Sequence, residues 1–340
     1  MGLGKVGMEV GGREAAVPPP LFCPTTIAPG RRHRCRWRIP HTPCSARKRR
    51  LSGVLLTSRL SRANFSPAPS TRVTRFRPCI DIHDGRVKQV VGSTLTADGA
   101  AVQQTNFETD VPASYFADRY REDRLPGGHV IILGGERAAS ERAALEALAA
   151  FPHGLQFGGG VSADNARHYL DAGASHVIVT SYVFHHGAVD IGRLEQLRRV
   201  TGRERLVLDL SCRPHQVDDT VEYFVYTERW TRRTDVRLDA TSLQRLAEYC
   251  SEFLVHAVDV EGKKCGLDET LVQRLADISP IPVTYAGGVR SVGDLEYVRQ
   301  AGGGRVDVTV GSALDLFGGT LPYTEAVAWQ RLVERAKESV

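Results

Sequence analysis

From residue 76 onward, short apolar runs alternate with amphipathic segments along the chain. The runs are rich in Val, Ile and Leu, which is typical of parallel strands that are buried on both faces. The runs predict eight strands: Arg77–Ile82, Val130–Gly134, Leu155–Gly158, His176–Thr180, Leu206–Leu210, Phe253–Val260, Pro282–Ala286 and Val306–Gly311. Eight strands with helical segments between them, over about 265 residues, predict a (β/α)8 barrel of the α/β class. An open doubly wound sheet is the alternative fold.

Polar residues and proline mark where several of the helices begin. Pro112 lies near the first turn of the segment SYFADRY. Ser162, Asp268 and Ser291 are predicted N-caps, because their side chains can accept hydrogen bonds from the first backbone N–H groups of a helix. Gly302 is predicted to close the helix that Ser291 begins.

The chain also repeats itself at long range. Asp81 ends the first strand, and Asp209 ends the fifth strand 128 residues later. Gly159 in QFGGGVS and Gly287 in TYAGGVRS have the same separation, and VIVTS recurs as VTVGS after 131 residues. Three matches at nearly one offset predict that a half-barrel of about four βα units occurs twice. This duplication favours the closed barrel over the open sheet.

The charge is distributed unevenly. Residues 1–75 contain 15 Lys and Arg against two acids, Glu9 and Glu14, which gives a net charge of +13. Because the whole chain carries +5, residues 76–340 carry −8. The predicted barrel is therefore acidic, and it lacks the basic stripe that would indicate a nucleic-acid partner.

An Arg-rich, Ser-containing and acid-poor leader is typical of an organelle transit peptide. Its Pro and Ser content favours the chloroplast over the mitochondrion, and a disordered basic tail is the alternative. We predict a disordered leader over residues 1–70, a barrel domain over residues 75–338, and location in the plastid stroma after removal of the leader.

The sequence gives no sign of a membrane or a metal partner. No apolar run approaches the ~20 residues that a membrane span needs. The seven cysteines form no CxxC pair and no Cys/His spacing typical of zinc, so they are interpreted as free thiols in a reducing compartment.

Glycines at the ends of strands predict two phosphate sites. Glycine there lets backbone N–H groups approach an anion, and a following helix end adds partial positive charge. The first predicted site comprises Gly159, Gly160, Thr180 and Ser181, and the second comprises Gly287, Gly288, Gly311 and Ser312. Residues 313–317 could form the short extra helix found beside barrel phosphate sites. Tight turns alone are the simpler interpretation of the glycines, but the paired positions favour a ligand with a phosphate at each end.

Asp81 and Asp209 are the candidate catalytic residues. Strands one and five face each other across an eight-stranded barrel, so the two carboxylates would flank the middle of a ligand held at both ends. Two carboxylates in one site can adopt different protonation states, one acting as acid and the other as base. Capping of the following loops is the structural alternative for each residue.

Several motifs together resemble a known family: PCIDIHDGRVKQVVGSTL, LDLSCR, TERW, FLVHAVDVEGKKCG, TYAGGVRS and VTVGSALDLFGG. The chain is similar from about Phe76 to its C-terminus to the phosphoribosylformimino-aminoimidazole-carboxamide ribotide isomerases of histidine biosynthesis in plants and fungi. The resemblance implies an Amadori rearrangement of a bis-phosphorylated aminoaldose, without metal or redox cofactor. It also implies that Asp209 is the general acid, Asp81 the general base, and Trp230 a stacking partner for the imidazole carboxamide. The inverse order of the two aspartates stays open.

Two residues differ from those of bacterial members of this family. Ala257 stands where they place Thr, and Ser162 stands where they place Arg, so the first phosphate is expected to bind mainly to backbone N–H groups. His256 is interpreted as a core residue. The long connection from Ser211 to about Leu238 contains VEYFVYTERW, which predicts a hairpin ending at Trp230.

Three other functions remain open. The sister cyclase of the same pathway shares the barrel and both aspartates, but HAVDVEG and AGGVRS differ from its strand-six and strand-seven patterns, and no glutaminase domain is present. A non-catalytic phosphoribosyl-binding protein would not benefit from two carboxylates beside an anionic ligand. A nucleic-acid role for RRHRCRWR would require the leader to remain attached. We expect a monomer whose partner is a bis-phosphorylated small molecule, with no nucleic acid and no membrane.

Overall fold

The computed structural model describes residues 72–90 and 105–338, which form alternating strands and helices. The first half contains Phe76–His83 (β1), Arg86–Val90 (β2), Thr105–Thr109 (β3), Ala113–Glu122 (α1), His129–Gly134 (β4), Arg137–Ala150 (α2), Gln156–Gly158 (β5), Ala166–Asp171 (α3), Val177–Val179 (β6), Phe184–His185 (β7), Ala188–Val189 (β8) and Ile191–Thr201 (α4). The second half contains Leu206–Asp209 (β9), Cys212–Val217 (β10), Thr220–Thr227 (β11), Arg232–Arg237 (β12), Ala240–Leu246 (α5), Glu252–His256 (β13), Glu269–Ile278 (α6), Val283–Ala286 (β14), Val292–Ala301 (α7), Val306–Val310 (β15) and Tyr323–Glu338 (α8).

Eight parallel strands close into a barrel. Their order around the barrel is β1, β4, β5, β6, β9, β13, β14 and β15, and β15 pairs in parallel with β1 to close the ring. A helix precedes each next barrel strand, and α8 follows the last one. The (β/α)8 fold predicted from the sequence is confirmed. Strands β1 and β9 lie four positions apart in a ring of eight, so they face each other.

The predicted strands correspond to the barrel strands, with one clear difference in length. Strand β13 ends at His256, whereas the prediction extended it to Val260, because Val260 and Glu261 donate backbone hydrogen bonds to the carbonyl of Ala257 in a turn. The N-caps Asp268 and Ser291 are confirmed. The N-cap predicted at Ser162 is wrong, because α3 begins at Ala166, after an intervening turn that the Ser162 carbonyl closes.

Extra strands follow the first and fifth barrel strands. Strands β2 and β3 pair antiparallel after β1, and β10, β11 and β12 form a separate antiparallel sheet after β9. The predicted hairpin ending at Trp230 is thus a β11–β12 hairpin whose turn contains that residue. The leader predicted over residues 1–70 lies outside the described residues.

A charged network fills the bottom of the barrel, at the amino ends of the strands. The buried Arg77 guanidinium donates to Glu252 at 2.9 Å and to Asp307 at 2.6 Å. Gln156 and Thr284 also donate to Glu252, and the backbone N–H of Arg75 donates to Asp307. Buried charges need such complete pairing, so this end of the barrel is sealed and the carboxyl ends of the strands are left for a ligand.

Candidate active site

Two neighbouring cavities open at the carboxyl ends of the barrel strands. The first has an empty volume of about 860 Å³ and the second about 1160 Å³, both including space open to solvent. Asp209 and Trp230 line both cavities, whereas Asp81 lines the first. One ligand could therefore extend from one cavity into the other past these residues.

Asp81 is held by a chain of hydrogen bonds that starts in β2, one of the two extra strands that follow β1. Gln89 of β2 is buried, and its side-chain amide donates to the Asp81 carboxylate at 3.0 Å. The hydroxyl of Ser312 donates to the Gln89 carbonyl oxygen at 3.2 Å. Gly311 leaves the space for this arrangement, since a Cβ atom there would lie 2.6 Å from Gln89 Oε1. The orientation of Asp81 is thereby coupled to the loop after β15.

Asp209 accepts three side-chain hydrogen bonds. The Ser211 hydroxyl and His256 Nδ1 lie 2.8 Å and 3.1 Å from Asp209 Oδ1, and the Thr180 hydroxyl lies 3.1 Å from Oδ2. Ala257, which stands where bacterial members of the family place Thr, has no hydroxyl group. Ser211 and Thr180 provide hydroxyl groups to Asp209 here. Thr180, which was predicted to bind substrate, has its hydroxyl directed to this carboxylate.

These environments shift the pKa values of the two aspartates in opposite directions. Burial, and then the nearby Glu261 carboxylate, raise the pKa of Asp81 from 3.8 to about 7. Burial alone would raise the pKa of Asp209, but the charge and hydrogen bond of His256 hold it below its ordinary value. Two carboxyl groups whose environments move their pKa values apart are typical of an acid–base site.

His256 forms an ion pair with Asp209. Burial alone would lower the pKa of His256, but the Asp209 carboxylate raises it from 6.5 to about 9. At neutral pH the ring thus carries a proton that is hydrogen-bonded to Asp209. The interpretation of His256 as a mere core residue is therefore incomplete, because its ring is buried and also lines the first cavity.

Trp230 stands between the two cavities at the tip of the β11–β12 hairpin. Glu228, Arg229 and Trp230 have φ values of 52°, 55° and 66°, a left-handed run that non-glycine residues rarely adopt. The Trp230 ring centroid lies 5.9 Å from that of His256. The strained turn therefore places the indole beside the Asp209–His256 pair, where a flat ligand could stack on it.

The first cavity contains the second predicted phosphate site. Gly287, Gly288, Gly311 and Ser312 all line it, together with Lys264. Gly287 and Gly288 have φ values of 127° and 73°, and a Cβ atom on Gly288 would lie 2.1 Å from the carbonyl oxygen of Gly266. The predicted helix over residues 313–317 is a single 3₁₀ turn, Asp315–Phe317.

The second cavity contains the first predicted phosphate site. Gly159, Gly160, Thr180 and Ser181 line it, with φ values of 104° and 71° at the two glycines. Arg137, the first residue of α2, also lines it, and its guanidinium donates to the Gly159 carbonyl oxygen at 2.9 Å. A cation is therefore present here as well as backbone N–H groups.

Sequence reasoning missed three of the polar residues that shape this site: Gln89, Arg137 and His256. Gln89 and Arg137 follow strand ends closely, as functional residues of barrels often do, so their positions gave a weak signal. The partnership of His256 with Asp209 had no local signal, because it depends on the register between β9 and β13.

The fold and site define a class of protein, namely a (β/α)8-barrel with two carboxyl groups of opposite pKa shift in a double cavity at the carboxyl ends of its strands. Residues 75–321 match the family model described as histidine biosynthesis protein, and the chain belongs to this family.

Three similar proteins are each named 1-(5-phosphoribosyl)-5-((5-phosphoribosylamino)methylideneamino)imidazole-4-carboxamide isomerase. The relative from Medicago truncatula, whose name adds "chloroplastic", is 55% identical over 268 residues, which cover 78% of this chain and 84% of the relative. That from Neurospora crassa is 49% identical over 262 residues, or 76% and 99% of the two chains. That from Candida albicans is 42% identical over 274 residues, or 76% and 98%.

The helices within residues 72–90 and 105–338 include none that combines the length and the apolar character needed to cross a membrane.

Proposed function

We propose that this chain is the aldose–ketose isomerase of histidine biosynthesis that its relatives are named for. It would convert the bis-phosphorylated aminoaldose to its phosphoribulosyl form in an Amadori rearrangement. One observation carries the proposal: each half-barrel contributes glycines to one of two neighbouring cavities, Asp209 lines both cavities, and Asp81 from the opposite strand lines the first. A substrate with a phosphate at each end fits this duplicated arrangement, and the names of the relatives support it.

The Asp209–His256 pair is the proposed proton donor. His256 carries the proton, and Asp209 would pass it to the ribose ring oxygen, which opens the ring to a Schiff base. A hydrogen-bonded pair of this kind retains a proton at neutral pH even though the Asp209 pKa is low. The acid function is thereby shared by two residues.

Asp81 is the proposed general base. It would remove the proton from C2′ of the Schiff base, which gives an enolamine that collapses to the ketone. A general base is most effective when its pKa lies near the working pH, and the Asp81 pKa of about 7 meets this condition. The Gln89 amide engages Oδ2 of this carboxylate, and Asp81 lines the first cavity.

The two phosphates and the central ring have separate proposed partners. The predicted phosphate residues Gly159, Gly160 and Ser181, with Arg137, would hold one phosphate. Gly287, Gly288, Gly311 and Ser312, with Lys264, would hold the other. Trp230 would stack on the imidazole carboxamide, so that both ends and the middle of the substrate are fixed before proton transfer.

The test uses the full-length chain with the bis-phosphorylated aminoaldose and no ammonia source. Conversion to the aminoketose is followed for the parent, Asp81→Asn and Asp209→Asn. We expect turnover by the parent and losses of about 10²–10⁴-fold or more in each variant, since each removes one acid–base step. Binding without conversion by the parent would refute the isomerase function. Consumption of aminoketose with ammonium would instead identify the cyclase.

We further propose that the basic leader directs the protein to the plastid stroma, where it acts as a monomer on a small-molecule substrate. The Arg- and Ser-rich composition of residues 1–75 and the chloroplastic relative support this location. Fusion of residues 1–75 to a fluorescent protein should give plastid fluorescence. A cytosolic or mitochondrial signal would contradict the plastid assignment. Light scattering of the purified chain measures its mass.

A further inference from the structure

Three metal-binding side chains converge at the floor of the first cavity. Ligand atoms of Cys79, Asp81 and His129 all lie within 4.8 Å of one another. Cys79 and Asp81 are two residues apart on β1 and so share the face that points into the barrel. Cys79 is paired with His129 of β4 in the parallel register, which brings the imidazole alongside. All three residues line the cavity.

The His129 ring lines the same cavity. The residue is only 4% exposed, yet neither ring nitrogen makes a hydrogen bond within the described part of the chain. Its ring contact is with His256, at 6.4 Å between centroids. The imidazole lines the cavity and no protein group occupies its nitrogens within the described residues, so it is available to a ligand there.

We propose that Cys79, Asp81 and His129 form a binding site for a thiophilic divalent cation, with Zn²⁺ as the preferred ion. A thiolate, an imidazole nitrogen and a carboxylate oxygen are the ligand types that zinc takes, and three protein ligands leave a fourth position open to the cavity. Ligand atoms around tetrahedral zinc lie about 3.5 Å apart, so these side chains need to move by about an ångström. Hard cations such as Mg²⁺ prefer all-oxygen sites and do not fit this set.

The charges and the surrounding contacts suit such an ion. Binding releases the Cys79 thiol proton to solvent and forms the S–Zn bond, so one thiolate and one carboxylate balance the charge of the cation. Gln89 lies within 3.8 Å of Cys79 Sγ and 3.0 Å of Asp81, and its amide donates to both. An outer donor of this kind orients the ligands of a metal site.

A cation at this position would occupy Asp81 and so inhibit the isomerisation, a consequence that rests on the function proposed above. Binding of the cation to the three side chains does not depend on that function. The site therefore makes the enzyme sensitive to free zinc, with substrate and metal competing for one carboxylate.

The experiment titrates the metal-free full-length chain with Co²⁺, which takes zinc sites and reports them by absorption. We expect one Co²⁺ per chain with intense tetrahedral visible bands and a thiolate-to-cobalt band in the ultraviolet, all displaced by Zn²⁺. Cys79→Ser should abolish the thiolate band. His129→Gln should weaken Co²⁺ binding by at least about 100-fold, since it removes a direct ligand. Circular dichroism and thermal melting of each variant establish that it is folded.

The full-length chain also carries Cys23, Cys35 and Cys44, so these are replaced by Ser in every protein tested. A matched control adds Cys265→Ser, because Cys265 is the exposed free thiol among the described residues. This variant should retain the full spectrum. Absence of the thiolate band in the parent, its persistence in folded Cys79→Ser, or its loss in Cys265→Ser would each overturn the proposal. Inhibition by Zn²⁺ and recovery with a chelator form a separate arm, so an inactive parent would count against the proposed function and not against the metal site.

Discussion

Replacing His256 by Asn tests the proposed proton donor most directly. The Asn side-chain amide can still donate to Asp209 from about the position of His256 Nδ1, but it holds no proton that can be transferred. The Asp209 carboxylate, with smaller contributions from Glu261 and Asp81, raises the pKa of His256 from 6.5 to about 9 against the effect of burial, so the ring is protonated at pH 8. Loss of this proton source predicts a fall of about 10²-fold or more in kcat/KM at pH 8, which is the usual contribution of one acid–base step.

The pH dependence follows from the same pair. In metal-free buffer, kcat/KM of the parent should rise as the pH increases through about 7, where Asp81 becomes ionised and can act as a base. It should fall as the pH increases through about 9, where His256 loses its proton. In His256→Asn the alkaline limb should move to lower pH, because the proton must then reside on Asp209 itself.

The assay measures initial rates of aminoketose formation from pH 5.5 to about 10, with substrate well below KM. His129→Gln serves as the control, because burial lowers the pKa of His129 to about 3, so this ring is neutral throughout the range and its loss should leave the alkaline limb near 9. An unchanged alkaline limb and undiminished kcat/KM in His256→Asn would refute the role of His256 as the proton source. Activity that is maximal at pH 5.5 and lost above 7 would instead assign Asp81 as the acid.

Three further predictions follow from the structure. Gly311→Ala should lower kcat by about 10-fold or more, because its Cβ would lie 2.6 Å from Gln89 Oε1 and displace the partner of Asp81, whereas Gly293→Ala in α7 should leave the rate unchanged. Arg137→Gln should lower kcat/KM by about 10–100-fold through the loss of a charged phosphate partner. The control is Arg142→Gln, which changes an exposed arginine on the same helix. Equal kcat/KM values for the two variants would exclude a phosphate beside Arg137. Arg77→Met should lower the free energy of unfolding in urea by about 3–5 kcal/mol, since it leaves Glu252 and Asp307 buried without their cation. The control Arg167→Gln breaks an exposed ion pair and should change this free energy by less than about 1 kcal/mol.

The barrel could be predicted from sequence because its strands are buried on both faces and so appear as separate apolar runs. The internal repeat then placed Asp81 and Asp209 on equivalent strands without any structural information. The same reasoning failed at Val260 and Ser162, where a turn replaces regular structure. An apolar residue in a buried turn has the same sequence pattern as one in a strand, so hydrophobicity alone could not locate the end of β13.

The polar partners within the site could not be predicted, because they depend on contacts between distant strands. His256 lies 47 positions from Asp209, and Gln89 lies 223 positions from Ser312. Cys79 and His129 are likewise unrelated by any metal-binding spacing, and only the register of β1 with β4 brings them together. The position of Arg137 also depends on a contact between separate elements, because its guanidinium donates to the Gly159 carbonyl in the glycine loop after β5.

The charged network at the bottom of the barrel includes residues that come directly after the proposed leader. Asp307 accepts hydrogen bonds from the Arg72 side chain at 3.1 Å and from the Arg75 backbone at 2.9 Å, and the N–H of Phe76 donates to Gln330 of α8 at 2.7 Å. A processing peptidase that cut after Arg72 would place a new charged amino terminus next to these buried contacts. If the leader is removed as proposed, these contacts predict a mature N-terminus at or before Arg72.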